Sequence, residues 1–350
     1  MNSMGRVLTV LIVVALAGAG AYAALRDPTP KPGFVPEDSA SRALLLSGSR
    51  LTRLDFESGG TRRIGRSPTK DVHASHVGSW LAYVVSGGMP AEPDADFVAA
   101  PVMRLIDIES DAKVDIGPGF NPLWHPSEPK LAYLRPIVER HCSGESCEGL
   151  FEVVVFDAAE GQKTVVAEAG RYNLLAWSGQ RVLVADESDL SVTFSLGADH
   201  STARLDLAPS ELWGASPDGR FVLRSVSSAV TLIDLEGDRD TDIAIGKGVL
   251  ADGAWSPDSK RIAAAALNQS RTKGKVVVIE TATGDTEEVT EEVTGILDVT
   301  WGPDARQFGF LTFAGASNRV VLNLCSATDE APACEVVSRP LRRTILLRFE

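Results

Sequence analysis

Three histidines could supply ligands to a metal ion. His73 and His76 stand three residues apart in "HASH", and His125 lies in a later turn of the same kind. Imidazole nitrogen is a common ligand for zinc and copper. Histidines in turns are usually just solvated, so solvation is the favoured interpretation and a metal site the alternative.

A run of alternating carboxylates could suit calcium. The stretch "DLEGDRDTD" contains Asp234, Glu236, Asp238, Asp240 and Asp242. Carboxylate oxygens are the ligands that calcium prefers, but the glycine position of a calcium loop is missing. A solvated hairpin is therefore the favoured interpretation.

Motifs of nucleophilic, metallopeptidase and phosphate chemistry are absent from the sequence. It contains no Gly-x-Ser-x-Gly, no His-Glu-x-x-His and no Gly-Lys-Ser/Thr. We therefore expect no catalytic residues, no metal and no cofactor.

The candidate residues stand among copies of one turn. "WSPDS" begins at Trp255, "WGPDA" at Trp301, "ASPDG" at Ala215 and "WHPSE" at Trp124. Proline presets φ for a tight turn, and Asp or Ser can hydrogen-bond the backbone two residues later. A short apolar run follows each copy, so the unit is a turn followed by a strand.

Seven such strands define a repeat. Their first residues are separated by 38 to 51 residues, the length of a four-stranded propeller blade, and are Ala43, Leu81, Leu131, Val182, Val222, Ile262 and Phe308. Four tryptophans share one repeat position, where we expect them to pack between blades: Trp124, Trp177, Trp255 and Trp301.

Acidic residues end a further strand in five repeats, where they are expected to set Asx-type turns: Asp55, Asp107, Asp157, Asp234 and Glu280.

Blade one lacks an inner strand, and the chain ends in "RRTILLRF" with no blade of its own. The prediction is an all-β, seven-bladed β-propeller of four-stranded antiparallel blades, closed by the C-terminal strand in blade one.

These repeats resemble those of TolB-like β-propellers, which are similar in architecture to WD-repeat propellers. The resemblance covers about residues 40–350 and departs at "ASHVGSW" in blade two and "WSGQR" in blade four. It implies a platform for protein or small-ligand recognition more often than for catalysis. A propeller enzyme with a metal or acid–base site in the central channel and an inert structural domain remain alternatives.

The N-terminus resembles an export segment. An apolar run, Val7 to Ala17, precedes a small-x-small site at Ala21-Tyr22-Ala23, so residues 1–25 are predicted to be a cleaved signal peptide or a retained anchor. Residues 26–39 are a Pro-rich linker, and residues 40–350 form the propeller. The body is expected to be secreted, periplasmic or membrane-anchored outside the cytoplasm.

Four cysteines form two close pairs, Cys142 with Cys147 and Cys325 with Cys334. Two local disulfides are expected in an oxidising compartment, because the two-residue spacing usual for zinc cysteines is absent.

The net charge of the chain limits the classes of partner that are expected. A net charge of −13 argues against nucleic acid, which needs clustered Lys and Arg, and against anionic membrane surfaces. A monomer that binds a protein or a neutral or cationic ligand is expected, touching the membrane only through an uncleaved N-terminal segment.

Two neighbouring repeats carry long connections, Ser86 to Pro101 and Arg135 to Leu150. We expect them to form a recognition lip, although tolerated surface insertions would look the same. The candidate binding residues are acidic in the first connection and mainly basic in the second: Asp94, Asp96, Arg135, Glu139, Arg140 and His141.

Overall fold

The computed structural model describes residues 42–47, 49–66, 72–85, 101–137, 150–186, 189–205, 207–237, 239–246, 248–314, 319–327, 333–342 and 344–349. Strands account for nearly all the regular structure within these ranges, joined by one 3-10 helix, Pro209–Glu211. No helix there combines the length and the hydropathy needed to span a bilayer. The predicted signal or anchor and the linker lie outside the described residues.

The strands form seven antiparallel sheets around a ring, which confirms the predicted seven-bladed β-propeller. From the ring centre outward, blade one comprises β30 (Thr344–Phe349), β1 (Arg42–Ser47), β2 (Arg50–Asp55) and β3 (Thr61–Arg66). Blade two comprises β4 (Val72–Ala74), β5 (Trp80–Val85), β6 (Val102–Asp107) and β7 (Lys113–Pro118). Blade three comprises β8 (Phe120–Trp124), β9 (Lys130–Pro136), β10 (Phe151–Asp157) and β11 (Gln162–Gly170).

The remaining four blades follow the same order. Blade four comprises β12 (Tyr172–Ser178), β13 (Arg181–Asp186), β14 (Asp189–Gly197) and β15 (Thr202–Leu205). Blade five comprises β16 (Leu212–Ala215), β17 (Phe221–Val226), β18 (Ala229–Asp234) and β19 (Asp240–Ile243). Blade six comprises β20 (Val249–Trp255), β21 (Arg261–Leu267), β22 (Lys273–Glu280) and β23 (Thr286–Glu288), and β24 (Val293–Thr294) also pairs with β22. Blade seven comprises β25 (Ile296–Trp301), β26 (Gln307–Phe313), β27 (Arg319–Ser326) and β28 (Cys334–Val336), and β29 (Leu341–Arg342) also pairs with β27.

The antiparallel order gives the ring two different faces. On one side, the turn face, lie the turns from first to second strand and from third to fourth strand of each blade. On the other side, the connection face, lie the links from second to third strand and the crossovers to the next blade, because antiparallel strands alternate in direction. All seven predicted repeat starts lie in the second strand of their blade.

Closure of the ring follows the prediction from the C-terminal sequence. Strand β30 pairs antiparallel with β1, from Ser47 opposite Thr344 to Ala43 opposite Phe349. Blade one is thus built from both ends of the described chain.

Apolar packing holds neighbouring blades together. The buried residues fall into seven clusters, and each cluster joins two adjacent blades. The smallest of these clusters joins Leu183 of blade four and Leu207, in the crossover beside β14, with Ala215 and Val222 of blade five. Backbone contact supplements it, since a Cβ atom on Gly219 would lie only 2.7 Å from the nitrogen of Gly179. The departure "WSGQR" in blade four therefore has a packing role.

Local hydrogen bonds explain the repeated turn. The hydroxyls of Ser216 and Ser256 each donate to the carboxylate two residues later, of Asp218 and Asp258, at 2.6 Å. The predicted acidic hairpins are also present, since Asp55, Asp107, Asp157 and Asp234 each accept backbone N–H groups two or three residues later. These hydrogen bonds join residues two or three positions apart, so each turn is stabilised by its own segment of the chain.

Three of the four repeat tryptophans bond to the preceding blade. The indole Nε1 of Trp124 donates to the carbonyl of His73 at 2.8 Å, that of Trp177 to Leu123 at 2.9 Å and that of Trp301 to Ala254 at 2.9 Å. Trp255 differs, because its buried Nε1 has no hydrogen-bond partner among the described residues. The predicted packing between blades is confirmed, and a directional bond strengthens it at three positions.

The difference between Trp301 and Trp255 gives a measurable expectation. Trp301→Phe should lower the free energy of unfolding by about 1 kcal/mol more than Trp255→Phe, because it leaves the Ala254 carbonyl without its donor. Urea unfolding of both variants measures this difference. Equal decreases in the two variants would show that the indole hydrogen bond makes no net contribution to the free energy of unfolding.

Candidate functional site

The two long connections leave the connection face from neighbouring blades. The link from β5 to β6 spans residues 86–101 and the link from β9 to β10 spans 137–150. The corresponding links have two residues in blades one, four and five and five residues in blades six and seven. Asp94, Asp96, Glu139, Arg140, His141, Cys142 and Cys147 lie outside the described residues.

Arg135 is the predicted binding residue that the structure describes. It stands near the end of β9, opposite Glu152 of β10. Its Nε donates to Oε2 of Glu152 at 2.6 Å, and its Nη2 also contacts that oxygen. Arg135 therefore supports the base of the blade-three connection through a cross-strand ion pair.

Exposed apolar side chains concentrate on the connection face. Of the eight large exposed apolar residues among those described, six lie at the ends of strands or links on this face: Ile137, Leu150, Val226, Leu297, Phe313 and Ile345. They are 36–44% exposed. Val114 and Leu235 lie elsewhere. The six on the connection face are distributed over blades one, three, five and seven, and Ile137 and Leu150 are adjacent, joined by a backbone hydrogen bond of 3.1 Å. The face that carries most of the exposed apolar groups is the candidate interaction surface.

The second disulfide is present. Cys325 and Cys334 are bonded between β27 and β28 of blade seven. This agrees with the predicted pairing of the two cysteines and with an oxidising compartment.

The turn face carries a small pocket at the ring centre. It has a volume of about 150 Å³, and His76, Ser127 and Arg348 contribute polar groups to its lining. Arg348 is 6% exposed, and its Nη1 donates to the carbonyls of Ser75, at 2.9 Å, and Gly78. Desolvation by the surrounding protein and the nearby charge of Arg348 both lower the pKa of His76, which lines the pocket with part of its surface exposed. Arg348 thus links the closing strand to blade two.

The hypothesis of a histidine metal site does not hold for the described residues. His125 is 1% exposed, its Nδ1 accepts the N–H of Ser127 at 3.2 Å and its Nε2 donates to Gly179 at 2.9 Å. Burial lowers the pKa of His125, in keeping with this neutral form. The described residues contain no group of three or more His, Cys, Asp or Glu that could hold a metal ion.

The calcium hypothesis for Asp234 to Asp242 also fails, because Asp234, the first of the proposed ligands, has other partners. Asp234 accepts the backbone N–H of Glu236 and Gly237, both at 3.1 Å, and its Oδ2 pairs with Nη2 of Arg220 at 2.8 Å. Asp238 lies outside the described residues. The carboxylate of Asp234 therefore stabilises the hairpin.

Two carboxylates on inner strands escaped the sequence analysis. Oδ2 of Asp252 accepts the N–H of Val299 at 3.2 Å, and Oδ2 of Asp298 accepts the N–H of Leu346 at 3.2 Å. Each carboxylate thus bonds to the inner strand of the next blade. Burial, opposed by the hydrogen bond from Leu346 and assisted by the charge of Asp252, raises the pKa of Asp298 to about 6. The signal was available, because both Asp residues stand three positions before a repeat tryptophan.

Comparisons with known proteins show similarity in fold. No protein-family model matches the sequence, and no curated protein matches it. Prolyl oligopeptidase B from Galerina marginata aligns with a TM-score of 0.59 at 12% identity, over 86% of this chain and 48% of that one. The β-propeller domain of the Trilobed protease from Pyrococcus furiosus aligns with a TM-score of 0.51 at 13% identity, over 75% and 83%.

TolB from Acinetobacter baumannii aligns with a TM-score of 0.48 at 15% identity, over 90% of this chain and 68% of TolB. Identities this low carry information about fold and none about activity. The seven antiparallel sheets around the ring and the alignment with the β-propeller domain of the Trilobed protease agree on a β-propeller fold.

Proposed function

We propose that this protein is an exported or membrane-anchored, non-enzymatic TolB-like β-propeller that recognises a protein partner in the cell envelope through its connection face. The observation that carries the proposal is the concentration of exposed apolar side chains on that face, six of the eight among the described residues. The two long connections leave the same face. Rigid strands that present variable connections are a common basis for recognition.

The connections supply the polar part of the proposed surface. The sequences of the two connections contain charged and polar residues, Asp94, Asp96, Glu139, Arg140 and His141, and Arg135 holds the base of one connection through Glu152. Interfaces of this kind have an apolar centre and a polar rim. A protein partner with an apolar patch and charges of both signs fits this chemistry better than a nucleic acid, given the net charge of −13.

The envelope location rests on two features. One is the export-like N-terminal sequence, and the other is the Cys325–Cys334 disulfide. Disulfides persist in oxidising compartments and are rare in reducing ones. The non-enzymatic role rests on the absence of catalytic motifs from the sequence.

Site-specific photo-crosslinking in cells tests the surface. A photoreactive phenylalanine analogue replaces Val226 or Leu150 on the connection face, and replaces Leu235 or Val114 elsewhere as matched exposed controls. We expect both connection-face positions to yield the same crosslinked partner and the control positions to yield none.

Affinity for the crosslinked partner is the second measurement. Val226→Asp should weaken binding of the purified full chain about fivefold or more, because a charge enters an apolar contact, and Leu235→Asp should change it less than about twofold. Crosslinks confined to Leu235 or Val114, or equal affinity in both variants, would overturn the connection face as the partner surface.

One observation favours a second function, an acid–base enzyme. Asp298, with a pKa of about 6, lies on an inner strand beside the blade that holds Asp252. A group that titrates near neutrality can act as a general acid or base. Hydrolysis of p-nitrophenyl esters or glycosides that disappears in Asp298→Asn, with partner binding retained, would support this alternative.

A further inference from the structure

A groove separates blades three and four on the side of the ring. Its volume is about 480 Å³, within the usual range for small-molecule sites. Val166 of β11 and Leu196 of β14 are buried beneath it. These two side chains give the groove an apolar floor.

The groove widens where the outer part of blade four is short. Strand β11 of blade three has nine residues, whereas β15 of blade four has four and pairs with β14 only from Thr193 to Leu196. Blades of a propeller diverge away from the axis, so outer strands need large side chains to fill the space between them. Val166 and Leu196 leave that space open.

The walls and rim of the groove carry a specific chemistry. Tyr172 and Phe194 add aromatic rings, Glu168 and Asp186 add carboxylates and His200 adds an imidazole, while no Lys or Arg is among the residues that line it. Burial and the charge of Asp186 raise the pKa of Tyr172, so its phenol stays neutral at physiological pH. Aromatic rings together with carboxylates attract ammonium and guanidinium groups.

Gly170 fixes the position of the Tyr172 ring. A Cβ atom at residue 170 would lie 2.4–2.6 Å from Cζ, Cε2 and the hydroxyl oxygen of Tyr172. Such contacts are far too short, so any larger residue must displace the ring. The wall of the groove therefore depends on a glycine at this position.

We propose that the groove between blades three and four binds an organic cation, with the apolar stem of the ligand on Val166 and Leu196 and its ammonium or guanidinium group near Glu168 and Asp186. The cation is a free amine or the side chain of Lys or Arg in another protein. This site lies between two blades, with Tyr172 and Asp186 at the connection-face ends of β12 and β13. Its test uses a small cation, so it stands or falls separately from the proposed partner surface.

The groove continues toward the turn face. A second cavity of about 280 Å³ shares Val166 and Leu196 with it and reaches Trp177 and Gln180. A ligand longer than a single side chain would extend in this direction. Trp177 then provides a fluorescence signal for occupancy.

The test compares two probes of equal size and shape. Phenethylamine carries an ammonium group at neutral pH, and 2-phenylethanol replaces it with a hydroxyl. Saturation-transfer NMR and Trp fluorescence titrations with the full chain should give saturable phenethylamine binding with a dissociation constant of the order of millimolar, and at least about fivefold weaker binding of the alcohol.

Matched variants locate the site. Glu168→Gln should weaken phenethylamine binding about threefold or more, whereas Glu287→Gln, an exposed carboxylate on the outer strand of blade six, should leave it unchanged. Gly170→Ala should also abolish binding, by moving the Tyr172 ring without any change of charge.

A peptide probe identifies the source of the cation. If N-acetyl-Phe-Lys-amide binds more tightly than phenethylamine and competes with it, the natural ligand is a protein side chain, and the reverse order points to a free amine. Equal binding of phenethylamine and 2-phenylethanol, or unchanged binding in Glu168→Gln, would overturn the proposal. A normal melting temperature for Glu168→Gln ensures that lost binding reflects the groove rather than the fold.

Discussion

A chain that ends at Arg343 is expected to lose cooperative unfolding and to aggregate. This truncation removes β30, which forms the inner strand of blade one and pairs with β1 from Ala43 to Ser47. It exposes an unpaired strand edge at the ring centre, and such edges pair with other chains. Circular dichroism melting and size-exclusion chromatography measure both outcomes.

The buried side chains of β30 explain why the effect should be large. Leu346 and Phe349 are 5% and 4% exposed and pack with Leu311, Leu322 and Leu324 of blade seven. The guanidinium of Arg348 also donates to two carbonyls of blade two. Removal of the strand thus takes away the contacts that the inner strand of blade one makes with both neighbouring blades.

Two point variants separate closure from general damage to the chain end. Leu346→Ala should lower the free energy of unfolding by about 2–4 kcal/mol, because it leaves a cavity between blades one and seven. Ile345→Ala, at the adjacent but 44% exposed position, should cost less than about 0.5 kcal/mol. An unchanged melting temperature of the truncated chain, or equal losses in the two point variants, would contradict closure by β30.

The ring could be predicted because its determinants are local. The Ser-Pro-Asp turn is held by bonds such as that from Ser256 to Asp258, two residues apart, and the acidic hairpins by bonds such as that from Ser58 to Asp55. Short-range chemistry of this kind repeats visibly along a sequence. The number of blades and the closing strand follow from counting these repeats.

Contacts between blades were harder to predict. The bonds from Val299 to Asp252 and from Leu346 to Asp298 join residues 47 and 48 positions apart. The position three residues before a repeat tryptophan marks the two Asp residues, but nothing in either local segment specifies their partners, because the distance between the partners depends on the curvature of the whole ring. The groove between blades three and four escaped the sequence analysis for the same reason.

The failed metal hypothesis has a related physical cause. His76 and His125 occupy similar turns of neighbouring blades, which suggested convergence. The ring instead directs the two side chains differently, with His125 turned against Trp177 and Gly179 of blade four and His76 at the central pocket. The two positions also differ within the turn, because the N–H of His125 donates to Lys130 as that of Ser75 donates to Trp80, so His76 stands one residue later.

Asp298→Asn is expected to stabilise the protein at pH 8. The pKa of Asp298 is raised from 3.8 to about 6 in the folded protein, mainly by burial, so its ionised form costs free energy at neutral and alkaline pH. A shift of this size corresponds to at most about 3 kcal/mol, and the water that still reaches the half-buried carboxylate reduces it to about 1–2 kcal/mol. Asparagine removes the charge and can still accept the N–H of Leu346.

The increase in the free energy of unfolding that Asp298→Asn produces should depend on pH. A carboxyl group with a raised folded pKa favours folding fully below its unfolded pKa, and this contribution is lost as pH rises through the folded value. The wild type should therefore approach the stability of Asp298→Asn between pH 6 and pH 4, where Asp298 becomes protonated in the folded state. Urea unfolding at pH 4 and pH 8 measures the difference, which should fall to a few tenths of a kcal/mol at the lower pH.

Controls separate this effect from other titrating groups. The lowered pKa values of His76 and His125 make the protein less stable as pH falls below about 6.5, but both variants carry these histidines and the term cancels in the difference. Asp240→Asn, at an exposed outer-strand position, should change stability little at either pH. If Asp298→Asn is instead equally destabilising at pH 4 and pH 8, Asp298 contributes as an ionised hydrogen-bond acceptor, and its bond to Leu346 outweighs the cost of burying the charge.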